Sequence, residues 1–135
     1  MTLSLKIERE VKPTEVAYLI FGTGVFGWAP WWRDADIGNF DDNGLDFLPL
    51  EHPFETASED SLIRIVHDDP NEPEGSAVFA VATFTMQEFL DRVSLAWPHL
   101  AAEAMRDMTE DLGLADAEAA DIVMQYVVYD EIVFG

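Results

Sequence analysis

Cysteine is absent from the 135 residues. Disulfides, thiolate metal sites and cysteine nucleophiles are thereby excluded. Basic residues are scarce: seven stand against 27 acidic ones, for a formal net charge of −20. Charge of that sign repels phosphates, which disfavours direct binding to nucleic acid and to anionic membranes. No apolar run reaches the roughly 18 to 20 residues that a membrane-spanning helix needs. The start, Met1-Thr2-Leu3-Ser4-Leu5-Lys6, lacks the positive opening, long apolar run and small-residue cleavage site of a signal peptide. A cytoplasmic protein is therefore expected.

What is present is hydrophobicity. Apolar residues make up 49% of the chain, whereas disordered acidic chains pair high charge with low hydrophobicity. The length is expected to give one domain, 1–135, with a single core and no staples.

The charge is uneven. Residues 1–33 hold Glu8, Glu10 and Glu15 against Lys6, Arg9, Lys12 and Arg33. Residues 34–74 hold thirteen acids and one base, Arg64. Residues 75–135 hold eleven acids against Arg92 and Arg106. The negative field belongs to the middle and the C-terminal half.

Periodicity suggests an α+β fold. Leu3, Leu5 and Ile7 alternate with polar residues, as in a short strand or ordered arm. Thr14 is placed to cap a helix over Val16-Ala17-Tyr18-Leu19-Ile20-Phe21, ended by Gly22; a strand over that short run stays open. Trp28 to Ile37 reads as an edge-type strand broken by Pro30 and ended by Gly38. Leu62–Val66 and Ala77–Phe84 read as strands joined by the turn Asp68–Gly75. Thr85-Met86-Gln87-Glu88 is a capping-box pattern. Behind it Met86, Phe89, Leu90, Val93 and Trp97 recur at helical spacing. Pro98 is expected to open a second helix, striped by Leu100, Ala101, Ala104, Met105, Met108 and Leu112 and capped by Gly113. Asp116 caps a third, striped by Ala119, Ile122, Val123, Tyr126, Val127 and Val133. Its apolar residues run almost all round it, as in a central core helix or a dimer seam. The sum is a small antiparallel sheet of three to four strands covered by about three helices.

The stretch Thr23-Gly24-Val25-Phe26-Gly27-Trp28 resembles a Gly-Gly-x-x-Tyr-Trp element. The end, Ala120-Asp121-Ile122-Val123-Met124-Gln125-Tyr126-Val127-Val128-Tyr129-Asp130-Glu131-Ile132-Val133-Phe134-Gly135, resembles an Ala-Asp…Gln…Phe-Gly-Glu-Val-Val-Tyr-Gly ending. Both resemble a family of small proteins carried by bacteriophages and prophages. That resemblance implies a phage or prophage setting, with host cytoplasm as the location. It implies no established chemistry and brings no catalytic residues.

The chemical motifs are each matched by a structural reading. Gly22-Thr23-Gly24-Val25-Phe26-Gly27 fits G-x-G-x-x-G, but the dinucleotide fingerprint needs a strand before it and a helix after it. A turn that lets Trp28 pack is preferred. Asn39-x-Asp41-x-Asn43-Gly44 fits the first half of a calcium loop, yet the closing glutamate position is Leu50. Asp36 and Asp46 offer other ligands, but an Asp/Asn/Gly turn explains the same residues. His52, His67 and His99 are scattered. A triad of Ser58 or Ser61 with His67 and Asp68 has no nucleophile elbow behind it. No catalytic residues, metal site or cofactor are therefore expected, and the chain reads more as a non-enzyme than as an acidic hydrolase, which ranks last for want of a motif.

Two binding readings follow. Ordinary solubility needs a net charge of magnitude only about 2 to 8, and self-repulsion at 20 destabilises the compact state. Solvation and salt adaptation are alternative sources of such acidity. A cationic partner is the third, and the first binding reading is an acidic protein that binds a basic host surface, that of a nucleic-acid-binding protein, as a DNA mimic or inhibitor. Its face is Asp34, Asp36, Asp41, Asp42, Asp46, Glu51, Glu55, Glu59 and Asp60, extended by Glu103, Asp107, Glu110 and Asp111. The other reading is a small-ligand binder or sponge with a pocket of Trp28, Trp31, Trp32, Gln125 and Tyr129. A homodimer is a further expected partner.

Overall fold

The computed structural model describes residues 2–3, 9–25, 31–69, 71–72 and 79–133. Trp28, Phe26, Gly27 and Pro30 lie outside them, as do Leu5, Ile7, Phe134 and much of the Asp68–Gly75 turn.

Strands β1 (Thr2–Leu3) and β2 (Arg9–Glu10) form a short antiparallel ribbon. Helix α1 (Pro13–Ala17) follows, capped at Lys12 instead of at the expected Thr14. The reason is local. Pro13 has no N–H to lose and its fixed φ suits the first helical position. Glu15 then reaches back, and its Oε2 accepts from the Lys12 amide at 2.9 Å. The chain runs on into a π-helical turn, Tyr18–Gly22.

The main sheet holds β3 (Trp32–Phe40), β4 (Phe47–Pro49), β5 (Leu62–Asp68) and β6 (Phe79–Thr85), antiparallel in the order β4-β3-β5-β6. A short helix α2 (Pro53–Thr56) lies between β4 and β5. The expected edge strand is in fact interior. β3 runs through Gly38 to Phe40 with β4 on one side and β5 on the other, and the expected stretch Trp28 to Pro30 lies outside the described residues. Ile63, Ile65 and His67 of β5 are buried and alternate with half-buried neighbours, the period-2 signature of one face turned to a core.

Helix α3 (Met86–Ala96) leaves β6 directly, with Thr85 Oγ1 accepting from the Glu88 amide at 3.1 Å. Pro98 does not open the next helix. It sits in a 3-10 turn, Trp97–His99, and α4 (Ala102–Glu110) begins after the extended Leu100 and Ala101. Gly113 is not a helix cap either. Helix α4 closes at Asp111, and Gly113 lies in a 3-10 turn, Leu112–Leu114. A Cβ there would come within 2.5 Å of Tyr18 Cβ, so this glycine marks a close approach between segments. Helix α5 (Ala117–Tyr129) is capped by Asp116, whose Oδ1 accepts from the Ala119 amide at 2.8 Å. Its C-cap, Asp130, adopts φ 63°, the left-handed region that favours glycine. Arg92 steadies it by an ion pair at 2.8 Å and also donates to the Val127 carbonyl.

Ile37, Ile63, Ile65 and Phe84 of the sheet, Phe89, Leu90 and Val93 of α3, and Val123, Met124 and Val127 of α5 belong to one buried cluster. The last helix is thus a core helix. Among the described residues no helix is long and apolar enough to cross a membrane.

Gly38 sets how closely β4 approaches β3. A Cβ built there would sit 2.3 Å from the Leu48 carbonyl oxygen. Backbone cannot yield as a flexible side chain does, so Gly38→Ala is expected to cost about 1–3 kcal/mol, the usual range for overpacking. Urea denaturation checks this, and hydrogen exchange should show the β3–β4 amides opening first.

Candidate functional site

Strand β5 is a ruler of roughly 20 Å between two ends of different chemistry. One end lies where Gly38 pairs with Leu62; the other lies where Trp32 pairs with His67.

The first end is acidic. β3 and β4 form a hairpin whose tip carries Asp41, Asp42 and Asp46. The tip is built by Asp41. Its Oδ1 accepts from the amides of Asn43 at 3.2 Å and Leu45 at 2.9 Å, and Gly44 takes φ 70°. The Leu45 amide does most to hold the Asp41 carboxyl below its ordinary range, with the Asp46, Asn43 and Gly44 amides adding to it. The order this carboxylate gives the tip is present at neutral pH and is lost as pH falls through that depressed value. The half-match to a calcium loop is thus an Asx-type turn. Among the described residues no cluster of His, Asp and Glu is arranged to hold a metal.

Glu51, the α2 residue Glu55, and Glu59 and Asp60 just before β5 are exposed. They belong to the same end, because Leu50 N donates to the Ile37 carbonyl at 2.8 Å and Leu62 pairs with Gly38. Phe54 of α2 packs on Tyr18 with ring centroids 4.5 Å apart. Tyr18 in turn touches Gly113. This links α2 to the end of α4, where Glu110 is exposed. Two of the nine expected face residues stand apart. Asp34 and Asp36 lie on the outer face of β3, and Asp36 pairs across the strands with Arg64 at 3.2 Å.

The described arginine side chains are committed elsewhere. Arg33 pairs with Asp68 at 2.8 Å, Arg64 with Asp36, Arg92 with Asp130, and Arg106 with Asp107 at 3.6 Å. Among the described residues no basic side chain forms an ion pair with Asp42, Asp46, Glu51, Glu55 or Asp60.

The second end is aromatic. Trp31 and Trp32 are both buried and stacked at 5.4 Å. A register irregularity between Trp32 and Asp34 puts Trp32 on the core face opposite to Asp34, and Trp31, just before the strand, is held inward by its contacts with Asp121 and Tyr129. Trp31 also meets Tyr129 at 5.3 Å. Its Nε1 donates to Asp121 Oδ1 at 2.6 Å, and Gln125 Nε2 donates to Asp121 Oδ2 at 3.1 Å. Gln125 Oε1 accepts from the Val133 amide at 2.9 Å. Tyr129 Oη donates to the Asp68 carbonyl at 2.6 Å. His67 Nδ1 lies 2.9 Å from that carbonyl and 3.1 Å from Tyr129 Oη. A carbonyl only accepts, so Nδ1 carries the proton.

Trp31, Trp32, Gln125 and Tyr129 are therefore brought together, while Trp28 lies outside the described residues. The polar atoms of Trp31, Gln125 and Tyr129 bond to Asp121 and to the backbone, so the cluster stitches α5 to the start of β3 and the end of β5. Asp121 and His67 complete it. Asp121 stands four residues before Gln125, a spacing that puts both on one helix face. His67 and Ser61 lie at opposite ends of β5, and Ser61 Oγ engages Ser58. No triad forms. Gly22 and Gly24 follow helical turns, not a strand, so the dinucleotide context is not met.

Burial chiefly, then Asp68 and Asp69, raises the Tyr129 phenol well above its usual value. The hydroxyl remains a donor throughout the neutral range. A raised folded value makes this contribution complete below about pH 10, the unfolded value, and lost as pH climbs beyond it. Tyr129→Phe should cost about 1 kcal/mol near neutrality and flatten the alkaline limb of a pH–stability profile. An unchanged alkaline limb assigns that limb to other groups.

No protein-family model, curated protein or solved structure matches the chain.

Proposed function

We propose that the protein is a non-enzymatic interaction protein whose acidic end binds a basic surface of a nucleic-acid-binding protein, acting as a DNA mimic or inhibitor. The observation that carries this reading is the uneven pairing of charge. The described arginines pair with Asp68, Asp36, Asp130 and Asp107, whereas Asp42, Asp46, Glu51, Glu55 and Asp60 form no ion pair with a basic side chain among the described residues. Self-repulsion of that kind is relieved when a cationic surface docks. The likeness of both chain ends to phage proteins fits a role in host takeover.

The test is binding of a purified basic DNA-binding protein, with an equally acidic unrelated protein as control. Duplex DNA should compete, and affinity should fall steeply as salt rises. The quadruple variant Asp42→Lys, Asp46→Lys, Glu55→Lys, Asp60→Lys should lose binding by about 100-fold or more, a few kcal/mol spread over several charge pairs. Unchanged affinity in a folded quadruple variant overturns the proposal.

A further inference from the structure

Strand β6 ends the sheet order, and among the described residues no strand pairs with its outer side. Edge strands are ordinarily protected by charges, prolines or bulges. The seven residues of β6, Phe79-Ala80-Val81-Ala82-Thr83-Phe84-Thr85, include no charge and no proline. Their register with β5 runs unbroken from Asp68↔Phe79 to Leu62↔Thr85, so there is no bulge. Val81 and Phe79 point away from the core and are 61% and 48% exposed.

We propose that β6 pairs with β6 of a second copy, antiparallel about a two-fold axis at Ala82, to give a continuous eight-stranded sheet. A two-fold contact sets the same strand against itself. Like charges directly opposite one another destabilise such a ladder, and β6 has none to oppose. In this register Val81 faces Thr83 of the second copy, and Phe79 faces its Thr85. Arg33 lies over the Phe79 ring at 5.2 Å and pairs with Asp68 at 2.8 Å, so this ion pair brings no net charge to the seam. The acidic hairpin belongs to the opposite edge, on β4, so both copies keep it free.

Sedimentation equilibrium over a concentration series, at low and at high salt, tests this. The wild-type chain should reach twice the monomer mass, and the dimer should strengthen with salt as the mutual repulsion of two −20 chains is screened. That direction is opposite to the one expected for a basic partner, so the two readings fail separately. The double variant Val81→Lys, Thr83→Lys faces lysine with lysine across the axis. It should be monomeric throughout, with an unchanged circular dichroism spectrum. In the wild type, amide exchange over Ala80–Phe84 should slow as concentration rises. A wild type that stays monomeric at high salt overturns the proposal. So does a dimer that persists in the folded double variant. If the double variant does not fold, concentration-independent exchange over Ala80–Phe84 in the wild type overturns it equally.

Discussion

Phe89→Ala is expected to lower the free energy of unfolding by about 3–5 kcal/mol, the range for removing a buried phenylalanine. Phe89 is fully buried on α3 and meets Phe84 of β6 edge-to-face, with centroids 6.5 Å apart. It packs where the sheet and the helical layer share one cluster, so the vacated space is walled by both and has little means of collapsing. Against a total stability of roughly 5–15 kcal/mol for a domain of ordinary kind, the variant should sit near the limit of folding. Urea denaturation at neutral pH reads the loss as a lower midpoint with an unchanged slope. Phe89→Leu, which keeps most of the volume, should lose clearly less. Equal losses would mean that ring geometry, not volume, governs the site.

Glu15→Ala is expected to cost about 3 kcal/mol, from two lost hydrogen bonds to a charged acceptor. Glu15 is only 7% exposed. Oε2 accepts from the Lys12 amide at 2.9 Å and Oε1 from the buried Leu112 amide at 3.1 Å. Alanine strands the Leu112 donor inside the protein. Glu15→Gln keeps one acceptor oxygen and should cost about half as much, since one of the two bonds survives. The same urea experiment ranks them. A Glu15→Gln loss as large as that of Glu15→Ala would show that charge, not acceptor count, sets the effect.

The parts of the fold legible in the sequence are those fixed by neighbouring residues. The alternation of Ile63 and Ile65 gives β5. Thr85 and Asp116 announce α3 and α5, because capping needs only a hydroxyl or carboxylate a few residues ahead of an apolar stripe. What was not legible depends on residues far apart in the chain. Gly113 reads as a helix terminator until Tyr18 is seen against it. Trp32 turns to the core face because the strand register breaks after it, and Trp31 joins it through contacts with the distant Asp121 and Tyr129. Glu15 is one of 27 acids, and composition does not tell a buried acceptor from a solvated one. In the acidic face, Asp34 and Asp36 separate from Asp42, Asp46, Glu51, Glu55 and Asp60 because strand pairing, not sequence distance, decides which end of the sheet a residue occupies. Of the aromatic set, Trp31, Trp32, Gln125 and Tyr129 converge, but nothing in the sequence separates Asp121, which ties two of them, from the other acids.

The bond from Leu112 to Glu15 spans 97 positions, and the bond from Trp31 to Asp121 spans 90. A ribosome makes the first member of each pair long before the second. While the chain is being synthesised, α1 and the start of β3 emerge with their buried faces uncovered, and the acid-rich middle follows before α5 exists to close the core. Contacts so distant in sequence delay folding until the necessary partners are present. The high negative charge of residues 34–74 acts in that interval, because like charge keeps neighbouring unfinished chains apart while their apolar segments are exposed.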